Sequence, residues 1–166
     1  MNTIKILSYV MILIGLAFLP KKEDIELVSI QPSSQSYTLH SMIGILSIPK
    51  LNLQEAVVSG SDTTALDISI GHIPNSGYTT SNMVLAAHRA TYFKQLDKLA
   101  INDIIEFQDI EYQTHTYIVY DIFKVNPKDV WVTTQTKEDI VTLITCTDNN
   151  SKRLIIRARK EETTNE

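Results

Sequence analysis

From Ile43 onward the chain is a succession of short apolar runs, each stopped by a turn signal. Ile43 to Ile48 ends at Pro49, and the run opened by Leu51 reaches Val57-Val58 and breaks at Ser59-Gly60-Ser61. Met83 to Ala87 and Asp103 to Phe107 follow. Thr114 to Val125 is the longest: Tyr117, Val119, Asp121 and Phe123 alternate with Ile118, Tyr120 and Ile122 until Asn126-Pro127. Ile140 to Cys146 and Leu154 to Arg159 close the set. Alternation with period two places one face of a strand against a core. Many such runs, broken by Gly, Pro and Asn, predict a mostly β fold of the barrel or sandwich kind. Helical signals are few. Asp62 is placed to cap a helix over Thr63 to Ile68. Thr91 to Leu99 would set Phe93, Leu96 and Leu99 on one helical face. Lys128 to Asp139 reads as a surface loop, a kind of segment that often shapes a binding groove.

The 166 residues suffice for one domain with a proper core and are too few for two comfortable ones. The apolar stretch Ile6 to Pro20 carries no charge, with Lys5 before it and Lys21-Lys22 after. As a helix it would span about 23 Å, short of a hydrocarbon core of roughly 30 Å. Lysine snorkelling and the inclusion of Thr3 and Ile4 narrow that gap. No A-x-A-like pattern follows, which speaks against a cleaved signal peptide. The flanking charges balance and do not settle orientation. The expected layout is a membrane anchor over 1–22, a serine-rich linker over 23–41, a catalytic domain over 42–160 and a polar tail over 161–166, with the domain outside the cell. A buried helix inside an intracellular protein is the rival reading of the first segment. A net charge of -4 disfavours general nucleic-acid binding.

Cys146 is the only cysteine, so the chain forms no internal disulfide. A free thiol in a secreted chain signals reactivity; the alternative is a buried, inert cysteine acting as a small hydrophobe. A thiol attacks only as thiolate, which a neighbouring cation favours. His88 and Arg153 both stand at strand edges, and the short turn between Cys146 and Arg153 suggests adjacent antiparallel strands. Arginine stays cationic with five donors and suits a developing oxyanion, not base work. Proton transfer therefore falls to His88. Arg157, on the same strand face as Arg153, is the rival guanidinium. Among the other histidines, His40 falls in the linker, His115 in the long alternating run, and His72 in a loop from which it could approach the site. No zinc-type ligand spacing and no Gly-rich phosphate loop is present. Asp103, Glu106, Asp109 and Glu111 lie close enough for a loose calcium site, but a solvated acidic edge is the favoured reading.

These residues resemble the sortase family of Gram-positive cell-surface transpeptidases. Thr142-Leu143-Ile144-Thr145-Cys146 is similar to the sortase TLxTC box, and Leu85-Ala86-Ala87-His88-Arg89 to the LAGHR box, with Ala87 where glycine is usual. Arg153 opens Arg153-Leu154-Ile155-Ile156 as the family arginine opens the last barrel strand. Ile43-Gly44-Ile45 through Pro49-Lys50, Gly71-His72-Ile73-Pro74 and Asn126-Pro127-Lys128-Asp129-Val130 follow in the family's order. The resemblance implies a single eight-stranded β-barrel with short helices. It implies Cys146, His88 and Arg153 as catalytic residues, with Thr145 and Leu143 toward substrate. The Cys146 thiolate would attack the Thr carbonyl of an LPXTG-like sorting signal and release glycine. An amine of a peptidoglycan precursor (lipid II), or of another protein, would then resolve the thioacyl intermediate. No cofactor or metal is implied, although calcium activation stays open without support. The absence of an Asp-Pro-aromatic lid motif makes a pilin-polymerising type less expected than a class A-like or class D-like one. A papain-type hydrolase, with an Asn or Asp orienting the histidine, and a non-enzymatic surface domain are the competing readings.

Overall fold

The computed structural model describes residues 40–147 and 149–161. The expected anchor and nearly all of the expected linker lie outside the described residues. Among the described residues no helix is long and apolar enough to cross a membrane.

Eight strands form a closed barrel. They are β1 (Met42–Ile48), β2 (Leu53–Ser59), β3 (Ile70–His72), β4 (Asn82–Ala86), β5 (Ile104–Asp109), β6 (Thr114–Val125), β7 (Ile140–Cys146) and β8 (Arg153–Lys160). Around the barrel they run β1-β2-β3-β4-β7-β8-β6-β5. The mostly β reading and the eight-stranded barrel therefore hold. Closure leaves no strand edge unpaired. Two pairings are parallel, β2 with β3 and β4 with β7, and each needs a crossover. The first crossover carries the one α-helix of the described residues, α1 (Thr63–Ile68), whose Ala65 N–H donates to Asp62 Oδ1 at 3.1 Å.

Period-two alternation fills the barrel as the sequence demands. Leu154, Ile156 and Ala158 of β8 point inward with Val141 and Leu143 of β7, Tyr117 and Val119 of β6, and Ile105 and Phe107 of β5. The intervening residues face the other way. There Val125, Val132 and Ile155 form a second apolar cluster with Phe123 and Ile144. The 3-10 turn Val130–Thr133 supplies Val132 to this cluster. Buried Asn82 fixes the turn's position: its Nδ2 donates to Val132 O and Thr134 O at 3.0 and 2.9 Å, and its Oδ1 accepts from Thr142 Oγ1 at 2.7 Å.

Three local expectations are corrected. Thr91 to Leu99 is not a helix. It is a series of turns ending in the 3-10 turn Leu96–Lys98, which has no side-chain cap. Phe93, Leu96 and Leu99 still reach the core, so the burial that motivated a helix is met without one. His72 is not in a loop but ends β3, where its Nε2 lies 2.7 Å from Gly77 O and 3.0 Å from Ser76 Oγ. Its neighbour Gly71 tolerates no side chain, because a Cβ there would sit 2.5 Å from Gly60 O. His40 is packed rather than free in a linker: its side chain is 4% exposed, and its Nδ1 is 2.6 Å from Ser59 O.

Candidate active site

The site follows from the parallel pairing of β4 and β7. Because the two strands run side by side in the same direction, they end together. Ala86 pairs with Ile144, the Ala87 N–H then donates to Ile144 O at 3.2 Å, and Thr145 Oγ1 donates to Ala87 O at 2.9 Å. His88 therefore leaves β4 where Cys146 finishes β7. The antiparallel pairing of β7 and β8 makes Arg153 the direct cross-strand partner of Cys146. Direct partners share a face of the sheet, as the short intervening turn led one to expect.

A cleft of about 580 Å³ opens at this end, lined by His88, Arg89, Ala90, Lys94, Cys146, Thr147 and Asn150. Cys146 is half-buried in it. The imidazole of His88 is 43% exposed, and its Nε2 stands 3.4 Å from Asp67 Oδ1 of α1. Arg89 faces Asp97 at 3.7 Å. The β7–β8 loop is shaped by its backbone: the Thr147 N–H donates to Lys152 O at 3.0 Å and the Asn150 N–H to Thr147 O at 2.9 Å. Asn150 takes a positive φ of 57°, a conformation asparagine tolerates well.

Arg153 does not itself line the cleft. Its Nη1 donates to Asn150 O and Lys152 O, each at 3.4 Å. Those are long bonds that hold a guanidinium only weakly. Its rival Arg157 is engaged elsewhere. Its guanidinium lies over the stacked rings of Trp131 and Phe123, at 5.2 and 5.5 Å from their centroids. Arg157 thus pins the 126–139 loop rather than facing the thiol.

Two residues expected toward substrate point inward. Leu143 is fully buried in the barrel core, so its side chain offers a substrate no surface; period two puts it on the face opposite Cys146. Thr145 is 2% exposed, with its hydroxyl occupied by Ala87 O. It locks the histidine-bearing strand end to the cysteine-bearing one. The Ala87 methyl, where glycine is usual in the resembled box, also packs into the core and not into the cleft. His40, His72 and His115 are all held at contacts away from the cleft lining.

The family model for the sortase domain matches residues 46–161. The chain belongs to the sortase family. It is 32% identical over 126 residues to sortase D of Bacillus subtilis (strain 168), a stretch that covers 70% of this chain and 63% of that one. The chain thus spans somewhat under two thirds of that curated relative's length. Among solved structures it is similar to a Clostridium perfringens sortase D5 transpeptidase, with a TM-score of 0.70 and 27% identity over 74% of this chain and 80% of that one. It is also similar to sortase A from Corynebacterium diphtheriae, with a TM-score of 0.69 and 28% identity over 78% and 66%. Likeness to both is consistent with a class A-like or class D-like sortase.

In this sortase barrel the acidic residues considered for calcium are dispersed. Asp103 bonds Lys50 Nζ at 2.8 Å and Asp109 bonds His115 Nε2 at 2.9 Å. Burial works against ionisation of Asp103, but the Lys50 bond and the Ala100 N–H outweigh it and hold the carboxyl below its ordinary range. Among the described residues no group of three or more His, Cys, Asp and Glu side chains is placed to hold a metal ion. The sequence singled out neither Ala90 and Lys94 of the cleft lining nor, beside His88, Asp67. The only signal for Asp67 was an acid in the last turn of a predicted helix, and nothing in the sequence pairs that helix with His88.

Proposed function

We propose that the chain is a membrane-anchored cysteine transpeptidase acting on LPXTG-like sorting signals outside the cell. The observation that carries this reading is one open cleft holding both Cys146 and His88, with Arg153 as the cross-strand partner of Cys146. The thiolate of Cys146 attacks the Thr carbonyl carbon, and the carbonyl oxygen becomes an oxyanion. Arg153 exchanges its two long loop-carbonyl bonds for this oxygen and stabilises it. His88 gives its proton to the departing glycine amine, leaving a thioester on Cys146. The amine of a peptidoglycan precursor such as lipid II then attacks the thioester carbon and gives a proton to His88, the new amide bond forms, the C–S bond breaks and the Cys146 thiolate is released. No cofactor takes part in these steps. The apolar segment within residues 1–22 holds the enzyme at the cell membrane, and residues 23–41 lead to the barrel.

The test uses the full chain in detergent with a panel of Leu-Pro-x-Thr-Gly-like peptides and an amine. A thioacyl adduct on Cys146 and a ligated product, both seen by mass spectrometry, are expected. Peptide consumption with no adduct would rule out the covalent route. One observation speaks for the hydrolase reading: Asp67 stands where an orienting acid would be needed. Arg153→Ala separates the two, since a hydrolase of that kind keeps its rate without the guanidinium.

A further inference from the structure

The geometry points to Asp67 as a positioning residue that stands against Nε2 of the His88 imidazole and so leaves Nδ1 for proton exchange in the cleft. The kinetic part of this inference rests on the transpeptidase reading; the placement of Asp67 does not.

Asp67 is held opposite His88 from several sides. Asp62 caps the start of α1, and the Ser69 N–H closes its end by donating to Ala65 O at 3.0 Å. Ser69 Oγ donates to Ala56 O of β2, which fixes the helix end to the barrel wall. From the other side, the loop that leaves His88 is tied to the same helix turn: Tyr92 Oη donates to Ile68 O at 2.6 Å. The Thr91 and Phe93 N–H groups both turn back to His88 O at 3.2 Å. The carboxylate and the imidazole are thus brought together by backbone anchors, not only by their own attraction.

Helix stability does not explain an acid here. Asp67 sits in the last turn of α1, the end at which a helix favours cations. Its side chain is 63% exposed, and its contact is with His88 Nε2 at 3.4 Å. A carboxylate on one ring nitrogen favours the tautomer with the proton on that nitrogen. The neutral ring then has its lone pair on Nδ1, and the protonated ring has its transferable proton there. Through both halves of a transfer reaction the imidazole keeps one orientation, and a single nitrogen gives and takes the proton. Asp67 is not among the residues lining the cleft, so it acts through His88.

The test compares the full-length wild type with Asp67→Ala and Asp67→Glu, each labelled with 15N-histidine. The His88 resonances are assigned by their disappearance in His88→Gln. In the wild type the neutral ring is expected as the Nε2–H tautomer, and in Asp67→Ala as a mixture. With a sorting-signal peptide, Asp67→Ala is expected to lower kcat roughly two- to fivefold, the span open to an exposed pair, with KM unchanged. Asp67→Glu is expected to restore the tautomer and most of kcat. An unaltered tautomer in Asp67→Ala overturns the proposal, and so does a change confined to KM. If the wild type turns over no peptide, the transpeptidase reading falls, while the tautomer still decides the role of Asp67. Should Asp67→Ala lose its fold, Asp67→Leu gives the same readout with a side chain of similar size that accepts no hydrogen bond.

Discussion

The same chemical pair, a histidine with an aspartate, stands at the two ends of this barrel. At one end His115 of β6 meets Asp109 at 2.9 Å, with side chains only 17% and 10% exposed. Asp109 Oδ1 also accepts the Glu111 and Gln113 N–H groups, each at 2.9 Å. The bond from His115 first, and these backbone donors with it, hold the Asp109 carboxyl below its ordinary range. At the other end, where Val125 closes β6 beside Arg153, His88 meets Asp67 at 3.4 Å with both groups open to solvent. The first pair is saturated and fastens the β5–β6 hairpin. The second is exposed, and its imidazole lines the cleft. Proximity of the two residue types does not separate structure from chemistry. The number of other bonds the carboxylate makes, and what the ring's far side sees, do.

The strongest way to break this comparison is to remove each imidazole. His88→Ala is expected to lower kcat/KM for a sorting-signal peptide by roughly 10²- to 10⁴-fold, the usual yield of a positioned acid–base group. His115→Ala is expected to leave kcat/KM unchanged and lower the melting temperature. A rate loss in His115→Ala equal to that in His88→Ala would erase the distinction between the two ends. A parallel test uses two of the three arginines of β8, Arg153 and Arg157. Arg153→Ala is expected to cost about 10²- to 10³-fold in kcat, as loss of an oxyanion donor does. Arg157→Ala is expected to act on the loop it pins, so that KM rises more than kcat falls. Steady-state kinetics on both variants decides this.

Leu143→Ala sharpens the contrast between lining and core. With Leu143 fully buried, the variant is expected to lose about 2–5 kcal/mol of stability in denaturant melts. Its KM under folded conditions should match the wild type; a raised KM with unchanged stability would return Leu143 to the substrate. The smallest effect belongs to Asp109→Asn. The folded-state pKa of Asp109 is depressed, so its contribution to stability is present above the unfolded value and is lost as pH falls through the folded one. Urea melts should separate wild type from variant near neutral pH and bring them together as pH falls through the folded value, where the carboxylate becomes protonated in both states.

Legibility differs by element for physical reasons. Strands β6 and β7 keep the bounds read from sequence, Thr114–Val125 and Ile140–Cys146, because an apolar run ended by a turn residue is a local signal. The helix over Thr63–Ile68 with its Asp62 cap is local in the same way. Strand β3, three residues including a glycine, exists only because β2 and β4 flank it, and no local pattern announces it. In the Thr91–Leu99 segment the apolar spacing suits a helix, yet Phe93, Leu96 and Leu99 reach the core through turns; burial selects the side chains without selecting the backbone that delivers them. Cys146 and His88 stood out through their boxes, and Arg153 through the short loop before it. The inward turn of Leu143 followed from its odd spacing to Cys146, but the resembled box grouped it with the substrate side.

By itself, then, the sequence determined seven of the eight strands, the α1 cap and the three residue types on which the proposed chemistry rests, since each is written in a pattern a few residues long. The tertiary structure decided which of them meet. Thr145 and Ala87, 58 residues apart, are joined only because β4 and β7 pair in parallel. The Asp67 carboxylate reaches His88 only because the crossover helix is tied to the loop beyond it. Pairing between distant strands depends on how the barrel closes, and closure is a property of the whole chain rather than of any window along it.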